Sequence, residues 1–522
     1  MTQKQNSNVP AIIVCILLFG MISFVTNLAS PMGDVLKNQF EVANWMGTLG
    51  VFCNFIAYAI MGIPAGNLLQ KKGYKFTALT AVAVGFIGVA VQYLAGNLTG
   101  NLAFGIYLLG AFIAGFSMCM LNIVVNPMLN KLGGGGNRGN QLVQVGGSFN
   151  SLMGTAVIFL SGVFVPNVLT AEIKKAFPLM YIALGVFALA FIVILFTKIP
   201  ENPNVGAKAK EKSQYGPMSF RHFVLGAIAI FIYVGIEVGI PNVLQKWLNK
   251  DLAKIENVTT SEGGVVVEVV KKGLEVKAGE TLAKIAVTKK VVVDDVETVV
   301  VDTIAIVAPE KGVVTPIKEV KDGKEQLAEG YIKKDEIVEA GAPIVGVDSA
   351  FAGPIAATVT AMYWLLMLVG RLLGAALGAK VSAKSMLSAV SVIGLGLVLG
   401  AIFLSPETVV SFPVFKGTNG FGMENLPINS ALLVLCGLCT SVMWGGIFNL
   451  AVEGLGKYTE KGAGIFMAMV CGGGILPLLQ NAIVDWTGSF AISYWVIAAG
   501  LVFLLYYALF GSKNVNKNIP TE

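Results

Sequence analysis

The chain has 522 residues, 55% of them hydrophobic and only 13% charged, with a formal net charge of +6. Soluble chains carry about 25% charged residues; at a mean hydropathy of +0.74 this chain has too little charge to cover a soluble particle of its size. One histidine, His222, excludes His-cluster metal sites and argues against His-based catalysis, and all six cysteines lie in apolar runs as small buried hydrophobes, not a disulfide framework.

The charge is unevenly spread. Residues 250–349 hold 19 of the 31 acids and 14 of the 37 bases, a net of −5; the rest hold 12 acids and 23 bases, a net of +11. The chain therefore reads as a membrane body with a polar insert.

A spanning helix needs about 20 apolar residues. Charge-free runs cover 5–33, 42–70, 76–130, 139–171, 178–197, 385–406, 425–452, 462–484 and 486–512. The first is no cleaved signal peptide: it has a lone Lys4, an apolar stretch too long for one, and no small-x-small site. Residues 9–29 read as span one. Run 76–130, with 55 residues, would reach roughly 80 Å as one helix against a core of about 30 Å. It is expected to fold back at Gly96-Asn97-Leu98-Thr99-Gly100-Asn101. Two further spans carry few charges, about 222–248 with Glu237 (and Lys246 at its outer end) and about 350–379 with Arg371.

The expected fold is an all-α polytopic membrane protein. It has twelve helices in two six-helix bundles and a periplasmic all-β insert between helices 7 and 8. The expected division is 1–197 for the first bundle, 198–220 for a cytoplasmic linker, 221–249 for helix 7, 250–349 for the insert, and 350–522 for helices 8–12 with a cytoplasmic tail. With both termini inside, inner loops hold seventeen lysines and arginines and outer loops five, Lys246 among them. This bias puts the protein in a bacterial inner membrane with the insert in the periplasm. The spacing Gly66-x-x-Leu69-x-x-Lys72 after span two recurs as Gly374-x-x-Leu377-x-x-Lys380 after span eight, which supports a parallel repeat of the two bundles.

Ionisable groups inside a bilayer are functional candidates by default. Glu237 sits in Tyr233-Val234-Gly235-Ile236-Glu237-Val238-Gly239-Ile240-Pro241-Asn242, whose glycines and proline suggest a broken or kinked helix. Its carboxylate is suited to bind sugar hydroxyls, take up a proton or help hold sodium; the plain alternative is a structural hydrogen bond. Asp34, near the outer end of span one, reads as a solvated charge. Arg371 reads as a gate or as a snorkelling side chain, and Lys72 as its gating counterpart. Neutral residues suited to a polar cavity are Asn27, Asn122, Asn126, Gln141, Gln144, Trp444, Asn449, Gln480 and Asn481. Asn122 and Asn126 share one helix face, as do Gln141 and Gln144. In lipid such residues also serve as glue between helices. Gly133–136 is an inner loop with no G-K-[ST], so ATP-driven transport has no support.

The insert changes period. β-branched runs at 265–270, 286–288, 291–293 and 299–301, with turn signals at Lys272-Gly273, Ala278-Gly279 and Asp322-Gly323, predict an all-β domain.

Several motifs carry a family resemblance. Gly66-Asn67-Leu68-Leu69-Gln70-Lys71-Lys72-Gly73-Tyr74-Lys75 resembles the loop motif of the major facilitator superfamily. Asn126-Pro127, Gly370-Arg371, Phe448-Asn449-Leu450-Ala451-Val452-Glu453-Gly454-Leu455-Gly456 and Gly472-Gly473-Gly474-Ile475-Leu476-Pro477 follow in order. The ordered set is similar to the fucose and glucose/galactose symporter branch. The resemblance implies alternating access around a mid-membrane site for hexoses or related sugars. Proton-coupled fucose carriers have an acid shortly after the Asn-Leu pair of helix one and another four residues before the helix-four Asn-Pro. Here Asn27-Leu28 is followed by Ala29-Ser30, and the second position is Asn122. The family's proton coupling therefore does not carry over directly. The insert resembles a lipoyl/biotinyl barrel-sandwich in its Gly264-Val265, Gly273, Val276, Gly279 and Leu282 pattern. It lacks the attachment lysine motif, Lys289-Lys290 being only a pair of bases, so no biotin or lipoate is expected.

These readings converge on a non-enzymatic secondary transporter importing a monosaccharide, with sodium or a proton as coupling ion and sodium expected near Glu237. Uniport, export, and a receptor or scaffold that recruits a periplasmic protein through the insert remain open. The remaining partners expected are membrane lipids; no nucleic acid is expected, and the chain reads as a monomer.

Overall fold

The computed structural model describes residues 9–134, 136–166, 171–201, 216–293, 296–321, 324–328, 331–350, 352–377, 380–417, 420–516 and 518–519. Among them, eleven helical stretches are long and apolar enough to cross a membrane. One, Leu49–Ala95, has 47 residues, roughly 70 Å and more than twice the hydrocarbon core. It is two spans joined without a loop, and the joint is Gly73 at φ 82, a left-handed conformation that costs any residue with a Cβ. The spans are therefore one (Val9–Phe40), two and three (Leu49–Ala95), four (Gly100–Leu132), five (Gly136–Phe164), six (Phe177–Phe196), seven (Arg221–Asp251), eight (Ala352–Leu377), nine (Ala383–Phe403), ten (428–452), eleven (461–487) and twelve (490–511). Between spans three and four the chain turns at Gly96–Thr99, where Asn97 and Leu98 donate to the Leu94 and Ala95 carbonyls.

Span seven is not broken. It runs as one helix from Arg221 to Asp251 with Pro241 inside it. The interruptions lie in span ten, between Ile428–Thr440 and Met443–Val452, in span eleven, where a 3-10 turn at Met469–Cys471 separates Thr459–Ala468 from Gly472–Thr487, and near the start of span twelve, between Phe490–Ser493 and Trp495–Tyr506. Spans one to six pack together, and seven to twelve likewise. The two halves meet chiefly where span five lies along span eight and span two along span eleven. The joint at 70–75 is fixed inside the first half. The Glu201 carboxylate accepts from the Tyr74 and Lys75 amides at 2.6 and 2.9 Å, and Lys75 donates to the Leu195 and Thr197 carbonyls.

Between spans seven and eight lies a β domain. Its strands are β1 (Ile255–Thr259), β2 (Gly264–Val269), β3 (Glu275–Val276), β4 (Thr281–Val293), β5 (Val296–Val307), β6 (Gly312–Thr315), β7 (Lys318–Lys321), β8 (Lys324–Leu327), β9 (Ile337–Val338) and β10 (Pro343–Asp348). They form two four-stranded sheets, ordered β1-β10-β6-β3 and β5-β4-β2-β9, with β7-β8 as a separate hairpin; every described pairing is antiparallel. Val266, Leu282, Ile285, Val314 and Val345 are fully buried between the sheets, in a core separate from that of the helices. Burying each such side chain stabilises by about 1.5–3 kcal/mol. The two ends of the domain are pinned together: Ser349 donates to the Lys254 carbonyl, and Asp348 accepts from the Lys254 amide, both at 3.1 Å. A second hairpin, β11 (Val409–Phe415) with β12 (Phe421–Pro427), joins spans nine and ten. Its Phe415 and Phe421 rest on Phe159 of span five.

Candidate functional site

Where the halves meet, Glu237 and Arg371 come together. Glu237 Oε1 lies 3.5 Å from Arg371 Nη2, and their side chains are only 13% and 11% exposed. Arg371 also donates to the Gly147 carbonyl of span five. One cation thus joins spans five, seven and eight, from both halves. A buried ion pair holds only while both partners are present, since either alone is a stranded charge.

Pro241 stands four residues after Glu237 and has no N–H to give the Glu237 carbonyl. The same relation holds for Pro31 and Asn27 in span one. Each of these candidate residues therefore brings a backbone acceptor without its helical donor, besides its side chain.

Along the spans that meet here are buried polar atoms with no hydrogen-bond partner. The Tyr233 hydroxyl, one turn before Glu237, is buried facing Glu237 and Arg371, and its ring meets the edge of Trp444 at 6.2 Å. Trp364 is 4% exposed with a free Nε1. Asn27 Nδ2 and the Trp364 ring flank Gly154 of span five, 3.2 and 3.3 Å from where a Cβ would stand. Thr26 and Ser151 hydroxyls and both amide atoms of Gln480 are buried without partners. Unmade hydrogen bonds in a buried site cost about 1–3 kcal/mol each, so such a cluster is poised for a hydroxyl-rich guest.

The predicted residues divide into groups. Trp444 packs its ring against Tyr233 and Phe466 within the second half, while Asn27, Glu237 and Arg371 lie at the contact of the halves. Gln144 does too, its Nε2 standing 3.5 Å from the Cβ position of Gly445 in span ten. Asn122 donates to the Tyr58 hydroxyl at 3.0 Å and to the Met118 carbonyl, and Asn126 to the Asn122 carbonyl, so these two bond largely within the first half. Gln480 packs on span seven beside Gly239. Gln141 and Asn449 are exposed, towards the end that carries the chain termini. Asn481 is fully buried and engaged at the opposite end. Lys72 is exposed and lies over the Phe76 ring.

Two charges differ from the sequence reading. Asp34 is not solvated but 6% exposed, bonded to Asn249 at 2.8 Å. Lys246 is no loop charge but 4% exposed. Both sit where spans one, two, seven and eleven converge, a convergence that position along one helix does not reveal. Tyr233, Trp364, Ser151 and Glu201 are absent from the predicted set. The first two carried a signal: Tyr233 is one turn from the only acid of its apolar run, and Trp364 one to two turns from the only base of its own.

No family model matches the chain. A glucose/galactose transporter of Brucella abortus is 24% identical over 519 residues, covering 98% of this chain and 97% of that one. A putative glucose/galactose transporter of Helicobacter pylori is 30% identical over 261 residues, 48% of this chain and 63% of that one. Among solved structures, the E. coli fucose:proton symporter matches with a TM-score of 0.57 at 17% identity, over 96% of this chain and all of that one. The same symporter, solved in the outward conformation and described as a major facilitator superfamily transporter, matches with 0.59 at 17%, over 97% of this chain and all of that one. With its apolar spans and paired bundles, this chain is a multi-spanning membrane protein with the fold of the major facilitator transporters.

Proposed function

We propose that the chain is a secondary active transporter that imports a monosaccharide, a hexose such as glucose or galactose, across the inner membrane by alternating access. The observation that carries this reading is the buried Glu237–Arg371 pair at the seam of the two halves, together with unpartnered hydroxyl, amide and indole groups on the spans that meet there. Such a site suits a neutral ligand rich in hydroxyls and an aromatic face for its C–H side. Relatives named for glucose, galactose and fucose transport support the same substrate class.

Glu237 is the coupling residue in this reading. Protonation of its carboxylate, or sodium bound against it, would release Arg371 from the pair and change how span eight is held to span seven. The β domain is read as a periplasmic, lipoyl-like barrel-sandwich without cofactor, an accessory to transport. Its Lys289 and Lys290 side chains lie outside the described residues.

The test is uptake in proteoliposomes. A hexose panel is offered under separate sodium and proton gradients, with Glu237→Gln beside the parent chain. The expected result is counterflow of at least one hexose, with the variant losing the dependence on one gradient. Absence of counterflow for every hexose would overturn the reading.

A further inference from the structure

The end of the helical body that carries the β domain is shut by a polar cluster that the sugar site does not use. At its centre is Lys246 of span seven. Its ammonium donates to Thr48 Oγ1 at 2.7 Å, to Asn481 Oδ1 at 2.9 Å and to the Asn44 carbonyl at 3.2 Å. The first and third belong to the first half, the second to span eleven of the other half. Asn481 donates in turn to Asn242 at 3.1 Å, and Asn242 to the Ser30 hydroxyl at 2.9 Å, crossing between the halves again. Asp34 faces the ammonium as counter-charge, held by Asn249; Lys37 and Asp485 are the other charges nearby. Asp485 accepts from the Asn44 and Trp45 amides and from Asn44 Nδ2.

The lysine stem reaches this place through a narrow slot. Its Cε lies 3.8 Å from the Cβ position of Gly33, which itself crosses the Gly47 carbonyl at 3.2 Å. Three neutral oxygens around one positive charge, with a carboxylate behind them, are the donor set that hard monovalent cations choose. Here both bundles supply the oxygens, so the cation is bound only while this end is closed.

We propose that the closed end is a monovalent-cation site filled by the chain's own Lys246 ammonium, so that closure on this side draws no cation from solution. The site is separate from Glu237. Its test does not use sugar and stands whether or not the transport reading does.

The experiment is hydrogen exchange read by mass spectrometry over residues 44–52 and 478–487 of the full chain, with choline as the only cation. Lys246→Ala is expected to raise exchange there about tenfold, because the closed end opens more often. Sodium, potassium or ammonium is expected to reverse the rise by entering the vacated oxygens, while the parent chain ignores the change of cation. Thr48→Val keeps the ammonium and removes one oxygen; it is expected to raise exchange by less and to ignore the cation. Unchanged exchange in Lys246→Ala would overturn the proposal. So would a rise that no cation reverses, since Lys246 would then only pack, and so would reversal by potassium in Thr48→Val.

Discussion

Glu237 Oε1 and Arg371 Nη2 stand 3.5 Å apart across spans seven and eight, 134 positions apart in the chain. Each is the other's only described ionic partner. Arg371→Met should therefore strand a buried carboxylate and destabilise by about 3 kcal/mol. Adding Glu237→Gln should recover most of that loss. Melting in detergent of the two single variants and the double variant closes the cycle; a double variant as unstable as Arg371→Met would show the pair is not coupled.

Pro241 leaves the Glu237 carbonyl without its helical donor. Pro241→Ala supplies an N–H at that turn. The variant should melt higher and bind a hexose, the proposed substrate, several-fold more weakly, if the freed carbonyl accepts from a sugar hydroxyl. Affinity by scintillation proximity, with melting alongside, reads both effects; unchanged affinity would remove the carbonyl from the site.

Gly73 has φ 82, and its Cβ position lies against the Glu201 carboxylate. Gly73→Ala should cost about 1–2 kcal/mol from backbone strain alone and displace Glu201. Glu201→Gln should weaken the same joint without strain, since the loop amides would lose a charged acceptor. Both variants should make the 70–75 segment more open to protease from the side of the termini, Gly73→Ala the more so.

The isolated β domain, residues 252–350, should fold and depend on pH in a defined direction. Burial, opposed by the amides of Ala350 and Lys254, holds the Asp348 carboxyl above the ordinary carboxylate range. The unfolded chain gives up that proton at lower pH than the folded one. Stability should therefore fall as pH rises through the window from about 4 upward, until the raised value is passed. Asp348→Asn should flatten that slope. Exposed Glu268, held below its usual range by the Lys284 ammonium at 2.9 Å, acts in the opposite direction at lower pH. Urea melts across the range separate the two.

The spans were the most legible part of the fold. A bilayer demands long apolar stretches, and the stretches between charges are long enough to show. The fold-back at Gly96–Thr99 follows from a length no single crossing can absorb. The joint at Gly73 was less visible, because three lysines there look like a loop while the helix continues through them. The proline and glycines of span seven look like a break, yet it runs on as one helix. The interruptions fall in spans ten, eleven and twelve, where the sequence gives no stronger signal. Glu237 and Arg371 each stand out as a lone charge in apolar surroundings, but their pairing is a property of two helices. Asp34 and Lys246 look like end charges for the same reason: what buries them is three other spans.

The pinning of Lys254 to Asp348 and Ser349 has a practical corollary. The β domain leaves and rejoins the helices at a single point, as a pendant hangs from one link. The helices beneath it need not splay to carry it, and a different module whose termini lie side by side could hang there instead. A fluorescent reporter exchanged for residues 255–347 would then ride on the helical body without pulling span seven away from span eight.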